Sequence, residues 1–221
     1  MDRTAHGNSM NRPAIDQERD VLLAVDIQND FCPGGALAVA DGDAVVAVAN
    51  ALIARFNHVV LTQDWHPPGH GSFASSHPGR RPFEGIVMPY GHQTLWPDHC
   101  VQGTQGAAFH PGLQTDRAEL VLRKGYHRAI DSYSAFYEND KATPTGLTGY
   151  LRTRGLRRVV LVGLATDYCV HYCGLDARRE GFDVLLVEDG CRAIDLDGSL
   201  ARARREMDEA GVRVIRSGEL S

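Results

Sequence analysis

RRVVLVGLATDYCV, residues 157–170, is the stretch whose reading decides the fold. Val159 to Val162 form a continuous apolar run of strand length, Gly163 closes it, and Thr166-Asp167 open a segment with helical spacing that continues to Gly181. A short apolar run without polar alternation is the pattern of a strand covered on both faces. Strand, tight turn and helix in immediate succession are half of a βαβ unit. Cys169 stands at the start of that helix, with Thr166 or Asp167 as candidate N-cap. On this window alone Cys169 has two readings. It is a small buried apolar residue, as unpaired cysteines often are, or a nucleophile whose thiolate the helix N-terminus favours and whose neighbouring amides can hold an oxyanion.

Runs of the same kind recur at 21–27 (VLLAVDI), 58–62 (HVVLT), 119–124 (ELVLRK), 183–189 (DVLLVED) and 212–215 (VRVI), which makes six strands with 157–163. Helix-length segments occupy 41–56, 145–155, 166–181 and 197–211. In the last, Asp197 or Ser199 is the candidate cap and Gly211 the stop. Strands alternating with helices imply right-handed crossovers. The predicted class is therefore α/β, a three-layer, Rossmann-like sandwich with a six-stranded, mostly parallel sheet flanked by helices. Residues 65–117, rich in Gly, Pro and His, interrupt the alternation and read as a long irregular insertion, a feature usually tied to function or disorder. Residues 1–20 are polar and aperiodic and read as a flexible leader, with Met10 a candidate second start; residues 21–221 read as a single domain.

With 43% hydrophobic and 23% charged residues the chain is that of a globular protein, and a net charge of −5 with no basic run argues against a nucleic-acid binder. No apolar stretch reaches membrane-spanning length and the N-terminal region lacks a signal-peptide core, so a cytoplasmic location is expected. The five cysteines are odd in number and scattered without a CxxC pair, which fits free thiols rather than a disulfide framework. Eight of the ten histidines crowd residues 58–127.

In a doubly wound sheet, ligands bind beyond the carboxyl ends of the strands. The polar residues predicted there are Asp26, Asp64 with His66, Lys124, and the GLATDYC turn. Any one of them can be an ordinary surface strand end; an acid, a metal-binding pair, an ammonium and a thiol at one edge make a cleft. A carboxylate at Asp26 beside apolar walls is suited to take a proton from a thiol and return it to a leaving amine. Lys124 supplies a point charge between carboxylate and thiol, with Arg123 the natural solvated neighbour. Asp64-x-His66 places two ligands on one strand face and WPDHC supplies His99. This carboxylate and imidazole set suits one divalent transition metal ion, zinc, iron or manganese, with open positions for water or substrate. His70 is either a fourth ligand or a loop histidine bonded to backbone; Pro67 and Pro68 exclude a helical pairing with His66. Cys100 reads as a packed residue. Phe31, Trp96 and Tyr133 flank these motifs and are candidates to wall an aromatic substrate.

VDIQNDFCPGGALAV, QDWHPPGHGSFAS, LWPDHCVQGT, RKGYHRAIDSYSAF and VGLATDYCV resemble, in order and over about residues 21–217, the nicotinamidases of the isochorismatase-like cysteine hydrolase family. The resemblance implies hydrolysis of nicotinamide, the small-molecule partner, to nicotinic acid and ammonia through a cysteine thioester in NAD salvage, with pyrazinamide a further substrate. It implies that Asp26, Lys124 and Cys169 are catalytic, that Ala165 and Cys169 form the oxyanion hole after a cis Leu164–Ala165 peptide, and that Asp64, His66 and His99 bind the metal. Phe31, Trp96 and Tyr133 match positions lining the pyridine pocket. Isochorismatases lack the nucleophilic cysteine, and the family's carbamoyl-amide hydrolases lack the metal motif, so both branches depart from this chain. The alternatives are another small-amide or carbamoyl-amide hydrolase, or a non-catalytic metal-dependent binding module. A homo-oligomer is left open.

Overall fold

The computed structural model describes residues 12–221. Its centre is a six-stranded sheet of β1 (Asp20–Val25), β2 (His58–Asp64), β5 (Leu120–Lys124), β6 (Arg158–Leu164), β7 (Asp183–Arg192) and β8 (Arg213–Ile215). The spatial order is β5-β2-β1-β6-β7-β8 and every pairing is parallel. Both faces of the central strands are covered, which is why their sequences carry no polar alternation. On one face Leu22, Ala24, Val160 and Val162 pack against Val45, Ala49, Leu52 and Ile53 of α1 (Val45–Ile53). On the other, Val21, Leu23, Val159 and Leu161 meet α2 (Leu147–Thr153), α3 (Cys169–Arg179) and α4 (Ser199–Glu209) through Leu151, Val170, Cys173 and Met207. Adjacent strand residues thus serve opposite layers. No helix among the described residues is long and apolar enough to cross a membrane.

Several local expectations are corrected. The 65–117 insertion is not wholly irregular: it carries the antiparallel hairpin β3 (Gly85–Met88) and β4 (Gly91–Thr94). Neither Asp197 nor Ser199 caps α4; the N-cap is Gly198 without a side-chain bond, while Gly211 lies in the left-handed region just past the helix as expected. Thr166 and Asp167 do not cap α3 either, because its N-cap is Tyr168, again with no side-chain bond. Asp167 turns away and accepts from the amides of Ile194 (3.0 Å) and Asp195 (2.7 Å) and from the Ser199 hydroxyl. Residues 12–20, expected within the flexible leader, are tied to the body. The Ile15 amide donates to the Ser221 carbonyl at 2.8 Å, the Ser221 amide donates to Pro13 at 3.1 Å, and Arg158 pairs with Asp20. These polar partners lie far off in sequence, so periodicity could not register them. The leader expectation for residues 1–11 lies outside the described residues.

Candidate active site

The carboxyl ends of β1, β2, β5 and β6 are neighbours by register, with Val25 beside Gly163 and Asp64 beside Lys124. Gly163 has φ +120°, and a Cβ there would lie 2.1 Å from the Val25 carbonyl oxygen. Only glycine permits strand β6 to approach β1 so closely at the turn. Beyond it the Leu164–Ala165 peptide is cis, and the chain enters α3 at Cys169. The Cys169 amide is the first of its helix and has no acceptor within it.

Asp26 follows β1 with φ +49°, accepts the Thr62 hydroxyl on Oδ1 at 2.6 Å, and faces the Lys124 ammonium with Oδ2 at 2.8 Å. Lys124, wholly buried at the end of β5, also reaches the Ser132 carbonyl (3.0 Å), Asp64 Oδ1 (3.1 Å) and Cys169 Sγ (3.4 Å). Burial pushes the Asp26 carboxyl above the usual carboxylate range although Lys124 opposes it. Burial likewise pushes the Cys169 thiol well above its ordinary value, again against Lys124. For Lys124 burial alone would lower the ammonium, but Asp26 and Asp64 more than reverse that and hold it charged. One ammonium facing a carboxylate and a thiol lets the pair share a single proton. The sequence-predicted trio Asp26, Lys124 and Cys169 is therefore brought into one buried contact group.

Asp64 uses its second oxygen differently. Oδ2 lies 3.0 Å from His66 Nε2 and 3.3 Å from His99 Nε2, all three groups being buried. His66 Nδ1 faces the Gly125 carbonyl and His99 Nδ1 faces the Pro97 carbonyl, both at 2.8 Å. A carbonyl only accepts, so each Nδ1 carries a hydrogen; in its neutral form each ring would turn an Nε2 lone pair toward Asp64. Two lone pairs and a carboxylate oxygen at this spacing require a proton or a cation among them, and the donor set fits a divalent transition metal. Gly125, φ +67°, makes room for it: a Cβ there would meet His66 Cε1 at 2.5 Å. His70 is spent elsewhere. Its Nε2 donates to His127 O (2.9 Å) and its Nδ1 accepts from the Ser72 amide (3.2 Å), so it stands outside the Asp64, His66 and His99 set, although with His66 and Asp131 it forms a second close group of possible ligands. Cys100 is fully buried and its amide donates to Asp30 at 2.7 Å, consistent with a packed residue.

The thiol and the candidate metal donors line one pocket walled by Phe31, Leu37, Trp96, Tyr133, Tyr168 and Ile194, with Ala165 and Asp131 also on its surface. The three predicted aromatics all reach it. Sequence reasoning missed Tyr168, whose ring meets Trp96 edge-to-face at 4.8 Å, and Asp131. Asp131 accepts from Gln93 Nε2 and the Ser132 amide, each at 2.8 Å, and stands 3.9 Å from His66 Nε2. It missed Gln28 as well, which clamps β2 by accepting from the Asp64 amide (2.8 Å) and donating to its carbonyl (2.9 Å). The available signals were local: Tyr168 adjoins Cys169, and Gln28 is two residues from Asp26.

A thiol at a helix start, an ammonium, a buried carboxylate and a cis-peptide turn at the edge of a parallel sheet define a cysteine hydrolase of the α/β class. The chain belongs to the isochorismatase domain family, whose model matches residues 20–219. It is 53% identical over 196 residues to the nicotinamidase of Acinetobacter baylyi (89% of this chain, 92% of that protein), and 46% identical over 195 residues to the nicotinamidase of Escherichia coli (86% and 91%). Among solved structures it superposes on an Acinetobacter baumanii nicotinamidase pyrazinamidase with a TM-score of 0.91 at 53% identity (91% and 98% covered). The PnC1 structure from L. infantum in complex with nicotinate gives 0.83 at 41% (94% and 98%), and the pyrazinamidase of Pyrococcus horikoshii in complex with zinc gives 0.72 at 35% (90% and 99%).

Proposed function

We propose that this protein is a cytoplasmic nicotinamidase that hydrolyses nicotinamide to nicotinic acid and ammonia in NAD salvage, and that it also accepts pyrazinamide. The observation that carries this reading is the single aromatic-walled pocket lined both by Cys169, 3.4 Å from Lys124, and by the Asp64, His66 and His99 donor set. The identities to nicotinamidases support it. Zinc, iron or manganese held by Asp64, His66 and His99 supplies, when bound, a Lewis-acid site suited to anchoring a ring nitrogen. Phe31, Trp96 and Tyr133 would wall the ring and leave the carboxamide toward Cys169 on the same pocket surface.

Asp26 takes the thiol proton beside Lys124, and Cys169 Sγ attacks the carbonyl carbon. The negative oxygen that develops is received by the amides of Ala165 and Cys169. Asp26 returns its proton to the departing amine, ammonia leaves, and a thioester remains. Asp26, again a base, then takes a proton from water, which adds to the thioester and releases nicotinic acid and the free thiol. Ammonia release from nicotinamide before chelation, after it and after zinc, iron or manganese is restored tests this reading. Turnover lost on chelation and recovered with metal is expected. Release from N-carbamoyl substrates instead of nicotinamide, or no release at all, would replace it with a carbamoyl-amide hydrolase or a binding module.

A further inference from the structure

Lys124 has more partners than protons. An ammonium has three hydrogens, and four acceptors surround this one: Asp26 Oδ2 at 2.8 Å, the Ser132 carbonyl at 3.0 Å, Asp64 Oδ1 at 3.1 Å and Cys169 Sγ at 3.4 Å. The sulfur is the most distant of the four. Asp64 is the only one that also faces the metal donor set, through Oδ2 at 3.0 Å from His66 Nε2 and 3.3 Å from His99 Nε2. All the side chains are buried, so water does not screen the exchange.

We infer that Asp64 is a bridge between the two halves of the site: a cation on its Oδ2 weakens the hold of its Oδ1 on Lys124, freeing an ammonium proton to turn to Cys169 and thereby activating the nucleophile before any substrate is bound. This inference rests on the proposed roles of Cys169 and of the metal donors, and adds to them that metal loading reaches the thiol through the chain as well as through the substrate. The physical basis is a carboxylate's finite charge. A divalent ion on one oxygen draws density from the other, and a hydrogen bond to that second oxygen becomes a weaker competitor. Asp26 makes no contact with the donor set, and Ser132 reaches it only through Asp131, which accepts the Ser132 amide at 2.8 Å and stands 3.9 Å from His66 Nε2, so Asp64 is the direct route. Lys124 holds its charge throughout; what changes is which acceptor it serves.

The test is the rate at which iodoacetamide alkylates Cys169 at one fixed pH without substrate, the thiolate displacing iodide to form a carbon–sulfur bond, with the modified residue identified by peptide mass. Zinc-loaded protein is compared with chelated protein, and metal content is measured in each. Loading is expected to accelerate alkylation roughly tenfold, because the thiolate is the reacting form. Metal-free Asp64→Asn, in which the competing charge is gone, is expected to react as fast as loaded wild type and to ignore zinc. His99→Ala, which impairs the donor set but keeps the Asp64 carboxylate, is expected to stay slow with or without zinc. Equal rates for loaded and chelated wild type, or slower alkylation on loading, would overturn the bridge. Acceleration by zinc with a slow metal-free Asp64→Asn would overturn it as well. Ammonia release from nicotinamide and zinc content, measured on the same samples, separate these failures from failure of the parent reading: an active, zinc-containing enzyme with an unresponsive thiol refutes the bridge alone.

Discussion

At the scale of the residue, Lys124 is the group whose removal disturbs most, because its loss leaves Asp26 and Asp64 buried with no cation between them. Lys124→Ala is expected to destabilise the fold by about 3–5 kcal/mol, the range for breaking a buried ion pair from one side, and to abolish turnover. Urea unfolding of the variant measures the first, and stability within 1 kcal/mol or so of wild type would contradict it. Asp26→Asn keeps the shape and removes the base, so kcat should fall by roughly a hundredfold or more while the protein stays folded. The proposed catalytic residues were legible because each stands at or just beyond the carboxyl end of a strand, and those ends share one edge of a parallel sheet. Asp131 and Gln28 were not. The carboxylate of Asp131 acquires its place from Gln93, 38 positions away, and Gln28 acts on the backbone of Asp64, 36 positions away. Neither partnership leaves a local pattern.

At the scale of the element, the segment between β5 and α2 bears on the site from behind. It carries the Ser132 carbonyl that holds Lys124 and, six residues on, Glu138, which is buried with Oε2 lacking any protein hydrogen-bond partner. Burial pushes the Glu138 carboxyl up to about 7 from an ordinary 4.5, with Ser132 and Lys124 opposing. The folded protein therefore keeps this proton until near pH 7, whereas the unfolded chain releases it near 4.5, so this group's contribution to stability declines as pH rises through that window. Glu138→Gln is expected to stabilise the protein by on the order of 2–3 kcal/mol at about pH 8 and by almost nothing near pH 4, as read by urea unfolding at both. An equal effect at both values would contradict it. The turn before α3 gives a second prediction. Asp167 ties that turn to residues 194–199, and Ile194 is a pocket wall. Asp167→Ala should raise KM more than it lowers kcat, since it loosens a wall and leaves the thiol in place. The β3–β4 hairpin escaped sequence reading for a physical reason: its strands have four residues each and are mostly exposed, so no apolar period marks them.

At the scale of the whole molecule, the alternation of apolar runs and helices made the class readable, because a strand buried on both faces must be apolar throughout. The spatial order β5-β2-β1-β6-β7-β8 was not readable, since parallel central strands of one sheet look alike in sequence. The placement of the site follows from that order: β6 adjoins β1, β2 and then β5 follow on the other side of β1, and the proposed triad and metal donors meet across their ends. Metal and thiol have separable duties in this arrangement. His66→Ala should lose most bound metal and raise KM for nicotinamide, whereas Cys169→Ala should keep its metal and bind substrate. The most direct measurement is ammonia release from nicotinamide by metal-loaded wild type and metal-loaded Cys169→Ala, side by side with their metal contents. The account predicts turnover by the wild type, a loss of more than about a thousandfold in the variant, and equal metal in both; nicotinamide hydrolysis that survives the loss of the thiol would contradict it.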